Sequence, residues 1–297
     1  MNKDILIIGA GGYIGKHLAL FLAETRQVKA FVHGEIPQEF FGAKNIKVFK
    51  GDVFDEGSLA SAMTRGDIVI SLVGSTSAAA DFKEHFNLNI LAQGIILDQC
   101  AKKKVNKVIF LSSLYVYGNS KAPRREQNLP NPQDSYALTK ALGEQIYVYY
   151  NKMFKVPAIV LRAGSVYGPH QEKGIFFSIM KSIRERKVVI IPRKSVYRDF
   201  IYIDDITEAI ARSADFRARK VEYFNVCNSE RISLRFLANM IQRIVKMQVK
   251  MEFTKRPPKM IAMFGRNERI KRVLRFAPKV SLDEGLKKTI TSYYEKN

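Results

Sequence analysis

The stretch that decides the fold lies at the start of the chain, in "DILIIGAGGYIGKHLALFLAETR" (residues 4–26). Its apolar run predicts a buried strand, and three glycines spaced three residues apart follow the strand and open a helix. Glycine at these places permits a tight turn, close approach of the backbone to a diphosphate and close packing of helix on strand. The helix N-terminus supplies N–H groups and a positive dipole end. We therefore predict a dinucleotide-binding loop. Its predicted cofactor-binding residues are Gly9, Gly12, Tyr13, Ile14 and Gly15.

Beyond this loop, short apolar runs alternate with helical patterns through the first half of the chain. Runs that are apolar throughout and separated by helices indicate a parallel sheet covered on both faces. After about Ser165 the alternation loosens and becomes more helical. We predict an α/β fold: a Rossmann-type doubly wound parallel sheet with a smaller, mostly helical C-terminal lobe. The predicted dinucleotide-binding domain covers 1–165, with the chain returning to it at about 196–227, and the predicted substrate-binding lobe covers 166–195 and 228–297.

The end of the second strand indicates which nicotinamide cofactor is used. A carboxylate there would bind the ribose 2′-hydroxyl and repel a 2′-phosphate. The sequence has Val32 and His33 at this place, which favours NADP slightly over NAD. Asp52 and Val53 end the next strand and suit either a contact to the adenine edge or an ordinary turn.

The composition limits the classes of protein. The chain has 297 residues, two cysteines and a net charge of +21. It holds no apolar run long enough to span a membrane, and the apolar stretch at its N-terminus is too short for a signal peptide. Two cysteines do not indicate a disulfide framework. We therefore expect a cytoplasmic protein with no membrane insertion. The charge favours anionic partners or, equally, provides a lysine-rich solubilising surface.

A tyrosine and a lysine lie four residues apart in "DSYALTKALGE", where Asp134 and Ser135 provide helix-start chemistry. Leu138, Leu142, Ile146 and Tyr150 recur every four residues and predict the core-facing stripe of this helix. Tyr136 and Lys140 lie on another face. A neighbouring ammonium and an oxidised nicotinamide favour the phenolate, so this tyrosine could exchange a proton with an alcohol or ketone while hydride moves. Ser112 or Ser113, at the end of the preceding strand, could bond the same oxygen.

The sequence closely resembles the extended short-chain dehydrogenase/reductase family. Within that family it resembles the NAD-dependent epimerase/dehydratase branch, which acts on nucleotide sugars. The likeness runs essentially end to end. The motifs that carry it are "GAGGYIG", "FLSSLYVYG", "SYALTK", "LRAGSVYGP", "YRDFIYIDD", "FNVCNSERISL" and "PKVSLDEGLKKTI".

The resemblance implies roles for individual residues. Tyr136 is the acid/base, Lys140 the clamp on the nicotinamide ribose, and Ser113 the catalytic Ser/Thr. Asn89 supports the site, and Ser165 takes the place of a usual asparagine that contacts the substrate. The arginines implied to hold the substrate diphosphate are Arg198 and Arg256. A nucleotide-diphosphate sugar is the implied substrate, a homodimer the implied assembly, and no metal is expected.

One departure from the family pattern bears on the reaction. Dehydratases of the branch carry an acidic pair after the catalytic Ser/Thr, where this chain has Leu114 and Tyr115. Dehydration is therefore not expected. A 4-keto-reductase is favoured because of Val32, and a 4-epimerase that keeps its NAD bound is the alternative. A nucleic-acid-binding or scaffold protein that lost catalysis is a third reading, against which the complete Ser–Tyr–Lys set argues, and no specific nucleic-acid partner is expected.

Overall fold

The structure is a computed structural model that describes residues 4–76, 80–192, 196–254 and 262–295. Its strands are β1 (Ile5–Ile8), β2 (Val28–Val32), β3 (Ile46–Lys50), β4 (Ile68–Ser71), β5 (Lys107–Ser113), β6 (Ala158–Ala163), β7 (Ser165–Tyr167), β8 (Val189–Pro192), β9 (Tyr197–Arg198), β10 (Phe200–Tyr202), β11 (Val221–Val226), β12 (Ile232–Ser233), β13 (Met251–Thr254) and β14 (Ala262–Met263). Its helices are α1 (Tyr13–Ala23), α2 (Glu56–Ala62), α3 (Phe82–Phe86), α4 (Ala92–Lys103), α5 (Ser135–Phe154), α6 (Ile175–Arg184), α7 (Ile203–Asp215), α8 (Leu234–Ile244), α9 (Glu268–Leu274) and α10 (Leu282–Glu295).

Seven strands form the central sheet in the order β11-β6-β5-β4-β1-β2-β3. The neighbouring pairs β3–β2, β2–β1, β1–β4 and β4–β5 run parallel. Strand order reverses between β1 and β4, which in a doubly wound sheet leaves a crevice at the carboxyl ends of the strands. The predicted doubly wound fold is confirmed.

The chain divides into two compact units. Unit 1 comprises Met1–Val116, Asp134–Arg162 and Thr207–Phe224, and unit 2 comprises Tyr117–Gln133, Ala163–Ile206 and Asn225–Asn297. The prediction placed 117–133 and 196–206 with the dinucleotide-binding domain, whereas both segments belong to unit 2. Each makes its local contacts there: Arg124 bridges to Gly265, and β9 pairs with β12 and β14.

The core of unit 1 is built from the buried faces of its strands and the helices that cover them. Leu6, Ile8 and Val69 in the middle of the sheet are completely buried. Removing each such side chain from water contributes about 1.5–3 kcal/mol. The Phe110 ring stacks on Tyr147 of α5 at 4.7 Å between centroids, which fixes this helix against β5.

The predicted core stripe of α5 is wrong at two positions, because Leu138 and Leu142 are 38% and 43% exposed. The helix presents its small residues to the sheet instead. A methyl group on Gly143 would lie 2.8 Å from the Asn89 carbonyl oxygen and 3.3 Å from the Phe110 ring. Close packing of helix on sheet therefore selects glycine and alanine, and the leucines face outward.

The described part of unit 2 contains three small sheets. β7 pairs with β10, β8 pairs with β13, and β9 lies between β12 and β14. Asp199, between β9 and β10, is completely buried. Its carboxylate accepts bonds from the backbone N–H of Asn228 and Gly265, and its carbonyl accepts one from Ser165. This residue ties three segments of unit 2 together. Among the described residues of both units, no helix is long and apolar enough to cross a membrane.

Candidate active site

The glycine loop joins β1 to α1 in the geometry that a diphosphate requires. Gly9 adopts a φ of 89°, which glycine reaches without strain. A methyl group on Gly15 would lie 2.2 Å from the Gly9 carbonyl oxygen, so only glycine allows the helix to start this close to the loop. Gly12 is the N-cap, no side chain caps the helix, and its first turn holds no acidic residue. The N–H groups of Tyr13 and Ile14 at the helix start therefore suit a dinucleotide diphosphate.

The ends of β2 and β3 lie beside this loop. A methyl group on Gly11 would lie 3.0 Å from a methyl of Val32, so the loop packs on the end of β2. His33 follows, with 80% of its side chain exposed, and its Nε2 lies 3.5 Å from a carboxylate oxygen of Asp52. Val53 is buried. The carboxylate of Asp52, two residues after β3, thus lies near the end of β2, although β2 itself supplies none.

The structure brings Ser113, Tyr136 and Lys140 into one site on unit 1. Asp134 caps α5 by accepting the Ala137 N–H at 2.8 Å, which places Tyr136 in the first turn. The Tyr136 ring meets the Tyr115 ring edge-on at 5.8 Å between centroids. Burial raises the pKa of Tyr136 to about 12, and a hydrogen bond with Ser113 opposes that rise. Without a cofactor, the phenol is therefore held in its protonated form.

Lys140 is a buried ammonium at 5% exposure. Burial lowers its pKa to about 7, and the Glu144 carboxylate opposes this shift. Its Nζ lies 4.4 Å from the centroid of the Phe110 ring, a cation–π contact that partly compensates for lost water. A methyl group on Gly74 would come within 3.4 Å of the same Nζ. The same methyl group would lie 2.6 Å from Asn89 Oδ1, so glycine at this position gives the Lys140 and Asn89 side chains the room that they occupy.

Asn89 ties the loop after β4 to α5. It lies in a π-helical segment, Asn87–Leu91, which joins α3 to α4. Its side-chain oxygen accepts the Ser75 N–H at 3.1 Å, and its amide donates to the Ser75 carbonyl and to the Thr139 hydroxyl. The predicted supporting role of this asparagine agrees with its complete burial, and the role remains a prediction.

Three site residues were missed from the sequence. His85 of α3 is buried, bonds the Ser135 hydroxyl at 2.9 Å and lies 6.0 Å from the Tyr136 ring. Glu144 and Arg162 form a buried ion pair at 2.6 Å. Glu144 falls four residues after Lys140, which places it on the same face of α5. That spacing was the available signal, but a glutamate in a helix is usually a surface residue.

The substrate residues predicted from motifs fall in unit 2. Arg198 is half-buried on the central strand of the β12-β9-β14 sheet, and its Nη1 donates to the Tyr197 carbonyl at 2.8 Å. Ser165 begins β7, and its N–H bonds the carbonyl of Asp199, the residue after Arg198. Arg256 lies outside the described residues.

A glycine loop at the start of α1, together with a serine that ends β5 and a tyrosine and a lysine on α5, is typical of a dinucleotide-dependent oxidoreductase of the short-chain type. The sequence matches the NAD dependent epimerase/dehydratase family over residues 5–227, and the chain belongs to this family. The predicted enzyme class is thereby confirmed.

Two curated relatives and one solved structure illustrate the likeness. A dTDP-D-glucose 4,6-dehydratase of Dictyostelium discoideum is 31% identical over 76% of this chain, a match that spans 59% of that relative. YtcB of Bacillus subtilis (strain 168), an uncharacterized UDP-glucose epimerase, is 26% identical over 95% of each chain. The structure of a Bacillus cereus UDP-glucuronic acid 4-epimerase with UDP-glucuronic acid and NAD superposes with a TM-score of 0.89 at 26% identity, covering 99% of this chain and 100% of that one.

Proposed function

We propose that this enzyme oxidises and reduces the C4 position of a nucleotide-diphosphate sugar with NAD, and that it is a 4-epimerase. The observation that carries the proposal is the convergence of Ser113, Tyr136 and Lys140 in the unit that holds the glycine loop. The B. cereus 4-epimerase, whose fold this chain shares over its whole length, supports the assignment.

The proposed chemistry divides between cofactor and protein. Bound NAD would accept a hydride from the sugar carbon and return it. Tyr136, as phenolate, takes the proton of the C4 hydroxyl and later gives it back to the ketone oxygen, so the proton balance closes over one cycle. Ser113 bonds the same oxygen. A positive charge on Lys140, one helical turn away, would favour the phenolate, as would the positive charge of an oxidised nicotinamide.

Two residues argue against dehydration as the outcome. Leu114 is buried and Tyr115 packs against Tyr136, so the two positions after Ser113 carry a hydrocarbon and a phenol. Loss of water from a sugar requires a further positioned acid and base. An epimerase needs only the Tyr136 proton and rotation of the keto intermediate.

A 4-keto-reductase is the second candidate. It rests on Val32, which ends β2 where a retained NAD usually meets a carboxylate, and this observation also led to the slight preference for NADP. Asp52, two residues after β3, weakens that preference, because a carboxylate 3.5 Å from His33 would repel a 2′-phosphate. We therefore propose NAD as the cofactor. The slight preference for NADP, which Val32 indicated, stays a prediction that the following experiment tests.

One experiment separates the two reactions. The purified protein is denatured, and the released nucleotide is identified and quantified by chromatography. Tightly retained NAD, together with interconversion of a UDP-sugar and its C4 epimer without added cofactor, is the expected result. An empty protein that consumes NADPH or NADH stoichiometrically with a 4-keto sugar would establish the reductase instead. Release of neither nucleotide and no turnover with either substrate would contradict both.

We further propose that Arg198, with Arg256, holds the substrate diphosphate. Arg198 projects from a strand held on both sides, and the bond to the Tyr197 carbonyl directs its guanidinium. A guanidinium meets phosphate oxygens in pairs, so a residue fixed in this way gives both affinity and orientation.

The homodimer expected from the resemblance has a candidate surface on unit 1. Leu138, Leu142, Tyr149 and Met153 are 38–57% exposed and recur along one face of α5. Leu91, 46% exposed, directly precedes α4, which packs beside α5. An extended apolar face on a helix pair fits burial against the same face of a second copy. We propose a two-fold dimer through α4 and α5.

A further inference from the structure

A buried carboxylate lies one helical turn beyond Lys140. The Glu144 side chain is completely inaccessible to water. Its Oε1 accepts the Ser112 hydroxyl at 2.5 Å and the Arg162 Nε at 3.0 Å, and its Oε2 accepts the Arg162 Nη2 at 2.6 Å. Arg162 is 4% exposed and its guanidinium lies 4.8 Å from the Tyr223 ring centroid.

A buried ion pair of this kind adds little to the stability of the fold, so its presence indicates another role. Taking both charges of an ion pair out of water costs more than their attraction usually returns, and apolar residues of the same size often replace such pairs without loss. The carboxylate accepts hydrogen bonds from the Arg162 guanidinium, in a bidentate pair, and from the Ser112 hydroxyl. The cluster is therefore rigid once formed. Rigidity and a fixed negative charge are the two properties that it adds to this part of unit 1.

The three residues come from three elements that carry or adjoin the proposed catalytic groups. Glu144 is on α5 with Tyr136 and Lys140, and Arg162 is on β6. Ser112 is on β5 directly before Ser113. The bond between Glu144 and Ser112 therefore joins the strand end that presents Ser113 to the helix that presents the tyrosine and the lysine.

The same carboxylate acts on Lys140 through its charge. Burial lowers the pKa of Lys140, and the negative charge of Glu144 raises it. In the described part of the chain, the other charged or titratable groups around the site include Tyr136 and Asp134 of α5, Tyr115 after β5, His85 of α3, Arg162 of β6 and Tyr223 of β11. Of the two carboxylates, Asp134 caps α5 beside Tyr136, and it is Glu144 that acts on the lysine.

We propose that Glu144, held by Arg162 and Ser112, is a positioning residue that sets Ser113 against Tyr136 and favours the ammonium form of the buried Lys140 side chain. The catalytic roles of Ser113, Tyr136 and Lys140 rest on the proposed function. The placement of Glu144 and its effect on Lys140 do not, so they can be measured without any substrate.

The test compares three variants. Glu144→Gln removes the charge and keeps the shape, so Arg162 loses the negative charge of its buried ion pair. The double variant Glu144→Gln/Arg162→Met removes both charges. Asp67→Asn is the matched control, because Asp67 forms a buried ion pair with Lys29 at 2.9 Å elsewhere in unit 1. Thermal unfolding of each variant reports the loss of stability.

The first readout is the rate at which acetic anhydride acylates Lys140, measured at a series of pH values. Mass spectrometry of the peptide that contains Lys140 quantifies the acylation. Only the neutral amine reacts, so the midpoint of this titration reports the Lys140 pKa. Loss of a negative charge lowers that pKa further, so Glu144→Gln should move the midpoint down by about one pH unit. The double variant should recover part of the shift, and Asp67→Asn should lower the melting temperature without moving the midpoint.

The second readout is the pH profile of turnover. If charged Lys140 is needed, activity is lost as pH rises through its pKa, and Glu144→Gln should bring that loss to lower pH, with about tenfold less turnover at pH 8. An unmoved midpoint in Glu144→Gln, or an equal shift in Asp67→Asn, would overturn the inference. A shifted midpoint in a protein whose wild type turns over no nucleotide sugar would refute the proposed function and leave the inference intact.

Discussion

Replacing Gly15 by alanine tests the assignment of the cofactor loop. The added methyl carbon would lie 2.2 Å from the Gly9 carbonyl oxygen and 2.8 Å from the Ala10 Cα. Ordinary contacts of this kind exceed about 3.2 Å, so the start of α1 or the loop must move by about 1 Å. Both partners are backbone atoms, and no flexible side chain can yield in their place.

A shift of this size misaligns the N–H groups that would bind the diphosphate. A hydrogen bond to a charged group contributes about 1.5–3 kcal/mol. Loss of one such bond weakens NAD binding by about tenfold to about 150-fold. Since close packing of α1 on β1 is lost as well, we also expect a lower melting temperature for Gly15→Ala.

The assay is calorimetric titration of cofactor-free protein with NAD. Gly94→Ala is the matched control, because a methyl group there meets nothing within 4 Å and the residue lies inside α4. Alanine should stabilise that helix by about 0.5–1 kcal/mol and leave the dissociation constant of NAD unchanged. If Gly15→Ala binds NAD as tightly as the wild type, the loop is not the diphosphate site and the reasoning is refuted.

Further predictions concern turnover, substrate binding and assembly. Tyr136→Phe should reduce turnover by at least about 100-fold while the dissociation constant of NAD stays the same, because only the transferable proton is lost; a variant retaining several per cent of the rate would exclude Tyr136 as acid/base. Arg198→Ala should raise KM for a UDP-sugar by about ten- to a hundredfold without altering NAD binding, whereas Arg235→Ala, at an exposed position of α8, should change neither; equal effects of the two changes would assign Arg198 to the general basic surface. Leu142→Glu should convert the dimer to monomer in light scattering of the column eluate, and an unchanged mass would place the interface elsewhere.

The sequence was informative where backbone geometry restricts residue type. The glycine loop, the alternation of strands and helices, and the cap at Asp134 are local signals, and the structure contains each of them. The tyrosine and lysine four residues apart on a helix were recognisable for the same reason, since helical spacing decides which side chains share a face.

The sequence was misleading where tertiary packing decides. The leucines of α5 recur at helical spacing, but the helix packs closely on Asn89 and Phe110 at Gly143, so the leucines face outward. Glu144 resembles a surface residue until Arg162, eighteen positions later, is placed beside it by β6. Neither outcome follows from a local pattern, because each depends on which strand lies next to the helix.

The positive net charge of the chain is unevenly distributed between the two units. Unit 2 carries 28 Lys and Arg against 12 Asp and Glu, a net charge of +16, whereas unit 1 carries 21 against 16, a net charge of +5. The two phosphates of a nucleotide sugar need only one or two arginines, so most of the positive charge of unit 2 is not explained by substrate binding.

The electrostatic field of a strongly basic unit attracts any polyanion without selecting a nucleotide sequence. We therefore expect duplex DNA to bind weakly at about 50 mM salt and to be largely released at about 200 mM, as counterion release requires. Fluorescence anisotropy with two unrelated DNA sequences measures this, and tight binding of one of them that persists at the higher salt would make a nucleic-acid function the better explanation of the charge.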